Sequence, residues 1–400
     1  MVAGRVTNPF IKDYLMTAGP TPLPPRVQSV MAEPVVYHRA PAFDALFARV
    51  LGRLPSVFQT DNDVMVLTSS GSGAMESAMA NLAGPGVPVL ACAAGKFGER
   101  WIELGEAHGA ETVRYEPGWG ARLDPAAIDG LLAAHPDIQV CFATLSETST
   151  GVVHDVAAIA QVCAARGVLL AVDAVSGLGA AELRQDAWGI DVVVSGSQKA
   201  LMTPPGLGLV SASQRALDHA AARPGGRYYF DWGRAIAEQR TPAPATPFTP
   251  AVTLIAALDV ALEMIEAEGI EAVLERDAVL ARATRAGVAA IGLELYGDPD
   301  ERANVVTAVA LPEAVDGAKV PKLLRDRFGI TANGGQGPLK GRILRIAHCG
   351  YFGAFDILTS LAGLEMALRE LGADIELGAA SAAAQKVFLD AGVSAAPAPA

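Results

Sequence analysis

Cysteine is scarce and scattered in this chain. Its 400 residues include only Cys92, Cys141, Cys163 and Cys349, and no two of them are close in sequence. This spacing indicates neither a disulfide framework nor a zinc site, and we expect no metal. The chain also lacks an apolar run long enough to cross a bilayer, and its N-terminus lacks a basic stretch followed by an apolar core. We therefore expect a cytoplasmic protein.

Positive charge is also in short supply. The chain has 31 lysine and arginine residues against 43 aspartate and glutamate residues, a formal net charge of −12. That balance argues against nucleic acid or an anionic membrane as a partner. What the chain has in quantity is apolar side chains, 51% of its residues. A chain of this length and composition can bury a large core and predicts two or three domains.

Short apolar runs alternate with helix-like stretches over the first half of the chain, which predicts a mainly parallel sheet covered on both faces. A proline-rich stretch at 241–250 ends this alternation, and helical spacing then predicts a long helix over 252–267. From about residue 271, helices alternate with short strands such as 305–310 and 343–347, which is typical of a smaller α+β domain. The runs predicted as strands of the large sheet are 64–68, 87–92, 112–115, 138–144, 168–173, 192–195 and 207–211.

One lysine, Lys199, lies just after an apolar strand, in a turn of small residues that closes on Pro204, Pro205 and Gly206. A partly desolvated amine has a lowered pKa, so its neutral form can condense with an aldehyde. We interpret that aldehyde as pyridoxal phosphate. The alternative is a lysine in an ordinary surface turn.

Asp173 ends the buried strand predicted at 168–173. The carboxyl ends of strands in open α/β sheets are where ligands bind. A pyridoxal enzyme needs a carboxylate there to keep the pyridine nitrogen protonated, so that the ring can withdraw electrons from the substrate. A helix N-cap or a turn aspartate is the alternative.

A glycine-serine turn, residues 69–73, joins the strand at 64–68 to a predicted helix. Free backbone N–H groups at a helix start suit a phosphate. The turn has neither the spacing of a dinucleotide-binding fingerprint nor the lysine of a P-loop, which argues against a nicotinamide-dependent dehydrogenase. A tight connection with no ligand is the alternative.

The order of phosphate turn, aspartate and lysine, each at a strand end, resembles the class V aminotransferases of fold type I, most closely the alanine–glyoxylate and serine–pyruvate group. The resemblance implies an α/β fold with a mainly parallel seven-stranded sheet flanked by helices, and a smaller C-terminal α+β domain. It divides the chain into an N-terminal segment contacting both domains (1–25), a large cofactor-binding domain (26–270), a small domain (271–390) and a disordered tail (391–400). The segments that carry it are 17–22, 38–43, 70–76, 147–151, 172–176, 195–201 and 344–346.

The resemblance also implies residue roles. Lys199 is expected to be the Schiff-base lysine and the general base and acid, while Asp173 stabilises the pyridinium. Arg345, aided by Gly19, is expected to bind the substrate carboxylate, with Arg342 as the alternative in a different register. The expected cofactor contacts are Ser70, Gly71, Ser72 and Gln198 at the phosphate, Phe97 and Val175 on the two ring faces, Ser149 at the phenolic oxygen, and Thr249 reaching the phosphate of a partner subunit in a homodimer.

The expected reaction is ping-pong transfer of an amino group from alanine or serine to glyoxylate or pyruvate. Alternatives on the same scaffold are pyridoxamine–pyruvate transamination, a lyase or desulfurase step, and a fold relative without activity. Desulfuration is disfavoured because the loop at 331–337 has no cysteine, and because Gln198 stands where a desulfurase typically has a histidine.

Overall fold

The computed structural model describes residues 12–223, 225–298 and 302–392. The strands, in chain order, are β1 (Tyr14–Leu15), β2 (Val64–Thr68), β3 (Pro88–Cys92), β4 (Glu111–Tyr115), β5 (Val140–Thr144), β6 (Ser146–Glu147), β7 (Val152–Val153), β8 (Leu169–Asp173), β9 (Val192–Gly196), β10 (Leu207–Ala212), β11 (Val306–Ala310), β12 (Ile330–Thr331), β13 (Asn333–Gly334) and β14 (Ile343–Ala347).

Helices surround these strands, and one 3₁₀ turn occurs at Gly337–Leu339. The α-helices are α1 (Pro25–Met31), α2 (Pro41–Phe58), α3 (Gly71–Leu82), α4 (Lys96–Ala107), α5 (Pro125–Ala134), α6 (Val156–Ala165), α7 (Gln185–Trp188), α8 (Gln214–Ala221), α9 (Trp232–Gln239), α10 (Val252–Glu268), α11 (Ile270–Ala290), α12 (Val320–Phe328), α13 (Ala354–Glu370) and α14 (Ala379–Asp390). Within the described ranges, no helix is both long and apolar enough to span a membrane.

Seven strands form the central sheet in the order β2-β10-β9-β8-β5-β3-β4. Only β10 runs antiparallel to its neighbours, β2 and β9. All seven predicted strands are present, so the expected mainly parallel seven-stranded sheet of an α/β protein is confirmed. Since β2, β5, β8 and β9 point the same way, the residues that follow them meet at one edge of the sheet.

Both faces of this sheet are buried because consecutive residues of its strands are apolar and point to opposite sides. In β2, Val64 and Val66 pack in one core with α2, α5, α6 and α10. Met65 and Leu67 pack in a second core with α3, α4, α8 and α9. The sheet is thus the middle of three layers, and its strand ends are rigidly supported from both sides.

The C-terminal part of the chain has its own antiparallel sheet, β11-β14-β13, and its own core with α11 to α14. Helix α10 ends at Glu268 and α11 begins at Ile270, with Gly269 at φ +85° between them. The break at Gly269 lies just before the predicted boundary between residues 270 and 271. The domain limits themselves stay a prediction, and most of the predicted tail, residues 393–400, lies outside the described residues.

The N-terminal segment contacts both parts of the molecule. β1 pairs in parallel with β12, and Met16 and Ala18 pack in the C-terminal core. A few residues later, the Thr21 N–H donates to the Gln198 carbonyl oxygen at 3.1 Å. The segment therefore runs from a two-stranded sheet with β12 to the turn that carries the predicted lysine.

Candidate active site

A cavity of about 210 Å³ lies at the carboxyl edge of the central sheet. It is bounded by the segments that follow β2, β5, β8 and β9, together with the start of α4 and the N-terminal segment. Most of the residues predicted for the site therefore meet in one place, although they are far apart in sequence. The predicted residues that line the cavity are Gly19, Ser70, Gly71, Ser72, Phe97, Asp173, Val175, Gln198 and Lys199.

Lys199 follows β9, and its half-buried side chain forms part of the cavity wall. Its Nζ donates a hydrogen bond of 2.7 Å to the carbonyl oxygen of Ala18. Burial lowers the pKa of Lys199, and the nearby charge of Arg345 lowers it further. Gly19 has a φ of +145°, and a side chain there would overlap the end of the lysine. The absence of a side chain at Gly19 thus leaves room for the amine of Lys199.

Asp173 is the last residue of β8 and is only 3% exposed. Its Oδ1 accepts a hydrogen bond of 2.8 Å from the Val175 N–H, which fixes the carboxyl group. Burial raises the pKa of Asp173 to about 6, against the opposing effect of that hydrogen bond. A buried carboxylate of this kind is suited to a cationic partner such as a protonated ring nitrogen.

The glycine-serine turn leads into α3, whose N-cap is Ser70. Ser70 Oγ accepts from the Gly73 N–H at 3.3 Å. A Cβ at Gly71 would lie 2.7 Å from the Val175 side chain, so only glycine fits between the turn and that residue. Gln198 Oε1, on the same side of the cavity as Gly71, is buried and has no hydrogen-bond partner among the described residues. The turn itself combines backbone N–H groups with a helix start, the arrangement that suits a phosphate.

The aromatic side of the cavity is the first turn of α4. Phe97 and Arg100 both line it, and the Arg100 guanidinium carbon lies 5.2 Å from the centre of the Phe97 ring. Sequence reasoning identified Phe97 and missed Arg100. Residues three apart on a helix lie on one face, and this spacing from Phe97 could have identified Arg100.

Ser149 is buried beside the cavity but is not one of the residues that line it. Its Oγ donates to Glu147 Oε1 at 2.6 Å and accepts from the Lys96 N–H at 3.0 Å. Thr148 and Ser146, from the same loop, line the cavity instead. Sequence reasoning missed both of these and also Ser176, another lining residue. The role predicted for Ser149 at a phenolic oxygen stays a prediction.

Arg345 lies on β14 and is 6% exposed, whereas the alternative Arg342 is exposed. Arg345 Nε donates to the carbonyl oxygen of Gly334 at 3.0 Å, and Arg345 Nη1 donates to the carbonyl oxygen of Thr148 at 2.9 Å. Burial lowers the pKa of Arg345 to about 10, so the group is still charged at neutral pH. Both acceptors are neutral, and the guanidinium keeps its charge for a further anionic partner.

Thr249 lies apart from Lys199. It lines a separate cavity of about 30 Å³ together with Thr68, Tyr229 and Phe248. The family resemblance implied that Thr249 reaches the phosphate held by a partner subunit, and that role stays a prediction.

Comparison with known proteins shows the family. Residues 13–341 match the family described as "Aminotransferase class-V". The chain belongs to the class V aminotransferases, which are pyridoxal phosphate-dependent transaminases of fold type I. The resemblance seen in the motifs, the enzyme class and the cofactor are therefore confirmed.

Individual relatives cover almost the whole chain. A protein of Synechococcus sp. (strain PCC 6716) named "Soluble hydrogenase, small subunit" is 41% identical over 94% of this chain and 98% of its own. The serine–glyoxylate aminotransferase of Methylorubrum extorquens is 34% identical over 93% of this chain and 95% of its own. The crystal structure of ureidoglycine–glyoxylate aminotransferase from Bacillus subtilis superposes with a TM-score of 0.90 at 34% identity, covering 94% of this chain and 97% of that one.

The cavity fits the cofactor on its own chemistry. The start of α3 behind a glycine turn at Gly71 with no space for a Cβ matches a phosphate end, and the buried carboxyl at Asp173 matches a basic ring nitrogen. The residues that would hold the group are those already placed around the cavity.

Proposed function

We propose that this protein moves an amino group from a small amino acid, alanine or serine, to a small 2-oxo acid, glyoxylate or pyruvate, with Lys199 covalently bound to pyridoxal phosphate. The observation that carries the proposal is the placement of Lys199, whose pKa is lowered by burial, near both the Asp173 carboxyl and the Arg345 guanidinium. The glyoxylate aminotransferases among the relatives support the choice of acceptor.

Lys199 has two tasks in this proposal. Its amine, with a pKa lowered by burial, would hold the cofactor, and the same nitrogen, when free, would remove the proton from the substrate Cα and give a proton back. Bound pyridoxal phosphate supplies an electron sink for the charge that develops at that carbon. Asp173 keeps the ring nitrogen protonated, since a buried carboxylate is stabilised by a cation beside it.

Arg345 binds the carboxylate that amino donors and 2-oxo acceptors share, because a guanidinium pairs with it through two parallel hydrogen bonds. One carboxylate site used in turn by donor and acceptor predicts ping-pong kinetics. We further propose a cytoplasmic homodimer in which Thr249 contacts the phosphate held by the partner subunit.

We do not propose a hydrogenase activity for this chain, although one relative is named as a hydrogenase subunit. The serine–glyoxylate aminotransferase matches over the same length, and Lys199, Asp173 and Arg345 have the chemistry that amino transfer requires. Hydrogen uptake by the purified protein, without amino transfer, would reverse this choice.

The test is a half-reaction screen. Cofactor-saturated protein is mixed singly with alanine, serine, aspartate and pyridoxamine, and the visible absorption of the bound cofactor is followed. Alanine or serine should convert it to the aminated form, whereas conversion by pyridoxamine alone would select that alternative donor. No conversion by any amino acid would refute the aminotransferase proposal.

Two experiments test whether Lys199 is the residue that binds the cofactor covalently. Borohydride reduction followed by peptide mass spectrometry should locate the cofactor on Lys199, and Lys199→Ala should remain folded, retain only loosely held cofactor and show no turnover. A reduced adduct at any other position would overturn the assignment.

A further inference from the structure

We propose that Glu147 is a positioning residue of this active site: it fixes the helix start that carries Phe97 and, through the adjacent Thr148, the substrate-binding Arg345. The part that concerns Arg345 rests on the proposed function. The part that concerns Phe97 and the cofactor does not.

Glu147 is only 1% exposed, yet its carboxylate receives four hydrogen bonds. Oε2 accepts from the N–H groups of Phe97 at 3.0 Å and Gly98 at 2.9 Å. Oε1 accepts from the Ser149 N–H at 3.1 Å and its hydroxyl at 2.6 Å. All four donors belong to two segments about fifty residues apart in sequence, so this one carboxylate joins them.

Helix α4 depends on this contact because it has no side-chain cap of its own. Its N-cap is Gly95, and the first N–H groups of any helix need outside acceptors. A Cβ at Gly95 would lie 2.5 Å from Glu147 Cγ and from Ser149 Oγ, so the close approach requires glycine. The negative charge of Glu147 also lies at the positive end of the helix. Glu147 thereby fixes the backbone of Phe97, from which the ring reaches the cavity.

The second connection runs to the small sheet. Thr148, the next residue, lines the cavity and its carbonyl oxygen accepts the 2.9 Å bond from Arg345 Nη1. Any displacement of the Glu147 carboxylate moves the carbonyl that orients this guanidinium. The Glu147 carboxylate is therefore connected both to the start of α4, which carries Phe97, and to Arg345.

The variant that tests this is Glu147→Gln. It preserves shape, removes the charge, and places an NH₂ group where two of the four donors point, so that donors face donors.

The chain offers a matched control in Glu365, which is 2% exposed. Its carboxylate accepts from the N–H groups of Gly378 at 3.0 Å and Ala380 at 2.6 Å, at the start of α14 in the C-terminal core. Glu365→Gln makes the same chemical change at a helix start that does not line the cavity.

Three readouts separate positioning from mere stability: the cofactor dissociation constant by fluorescence titration, amide hydrogen exchange of residues 96–98 in cofactor-free protein, and KM against kcat for the amino donor. Both variants should unfold at lower temperature. Only Glu147→Gln should weaken cofactor binding by about tenfold or more, the effect of losing a charge-assisted hydrogen bond, with faster exchange and a larger change in KM than in kcat.

Effects of Glu147→Gln on binding, exchange and KM no larger than those of Glu365→Gln would overturn the proposal. If Glu147→Gln does not fold, Ser149→Ala, which removes the 2.6 Å donor, is judged by amide exchange of residues 97 and 98 in cofactor-free protein, which a contact between Ser149 and the cofactor cannot change. If cofactor binding and exchange respond as expected but wild-type protein transfers no amino group, the proposed function fails and the positioning role towards Phe97 stands.

Discussion

Asp173→Asn should make the cofactor-free protein more stable above neutral pH while removing most of its activity. Burial raises the pKa of Asp173 from its ordinary 3.8 to about 6. Because each pKa unit corresponds to about 1.4 kcal/mol, the ionised carboxylate costs the folded protein about 3 kcal/mol. Asparagine removes the charge and can still accept the 2.8 Å bond from the Val175 N–H.

The sign of the pH dependence follows from the order of ionisation. As pH rises from 3.8 to about 6, Asp173 ionises in the unfolded chain before it does so in the folded one. The folded protein then binds more protons, so its free energy of unfolding falls as pH rises through this window. Below the window Asp173 is neutral in both states, and above it the full cost is present.

Urea unfolding of both cofactor-free proteins at acid pH and at about pH 8 measures the effect. The stability of Asp173→Asn relative to wild type should increase by up to about 3 kcal/mol between the two conditions. Saturation with cofactor should cancel this gain, since the ring cation stabilises the wild-type carboxylate, and turnover should fall by about 100-fold or more. Identical pH dependence in the two proteins would refute the reasoning.

Two other substitutions test the surroundings of the lysine. Gly19→Ala should reduce attachment of the cofactor to Lys199, detected by borohydride reduction, because the new methyl group displaces the end of the lysine side chain. Gly118→Ala, at φ +112° in open space, should have a similar backbone strain of about 1–2 kcal/mol and leave attachment intact, and equal attachment in both variants would contradict the overlap. Arg345→Ala should weaken binding of amino donors and 2-oxo acids by about 2–5 kcal/mol, measured from KM and from inhibition by substrate analogues. The exposed Arg342→Ala is its control, and a loss there instead would transfer the role.

The central sheet can be predicted from sequence because the residues on both faces of its strands are apolar. In β2 the consecutive residues Val64 and Met65 are both apolar, which requires burial on two faces and hence a layered α/β arrangement. The strand-end positions of Asp173 and Lys199 follow from the same pattern. Chain topology then places them together without any further information.

Contacts between distant segments could not be predicted in the same way. The sequence does not show that the Glu147 carboxylate caps a helix at Phe97, because each group has many possible partners until the fold is known. Nor does it show that Ser149 turns away from the cavity towards Glu147. Such details depend on side-chain geometry at ångström scale, whereas sequence patterns specify only elements and their order.

The pairing of β1 with β12 gives the N-terminal segment a mechanical role. Tyr14 is joined to Ile330 in the C-terminal part, while Ala18, four residues later, holds the amine of Lys199 through its carbonyl group. So short a tether has little slack. Any shift of β12 towards or away from the cavity would therefore displace the carbonyl group that holds the reactive nitrogen. Because β13 follows β12 directly and pairs with β14 at Arg345, substrate capture at Arg345 and the freedom of the lysine would be linked through the backbone.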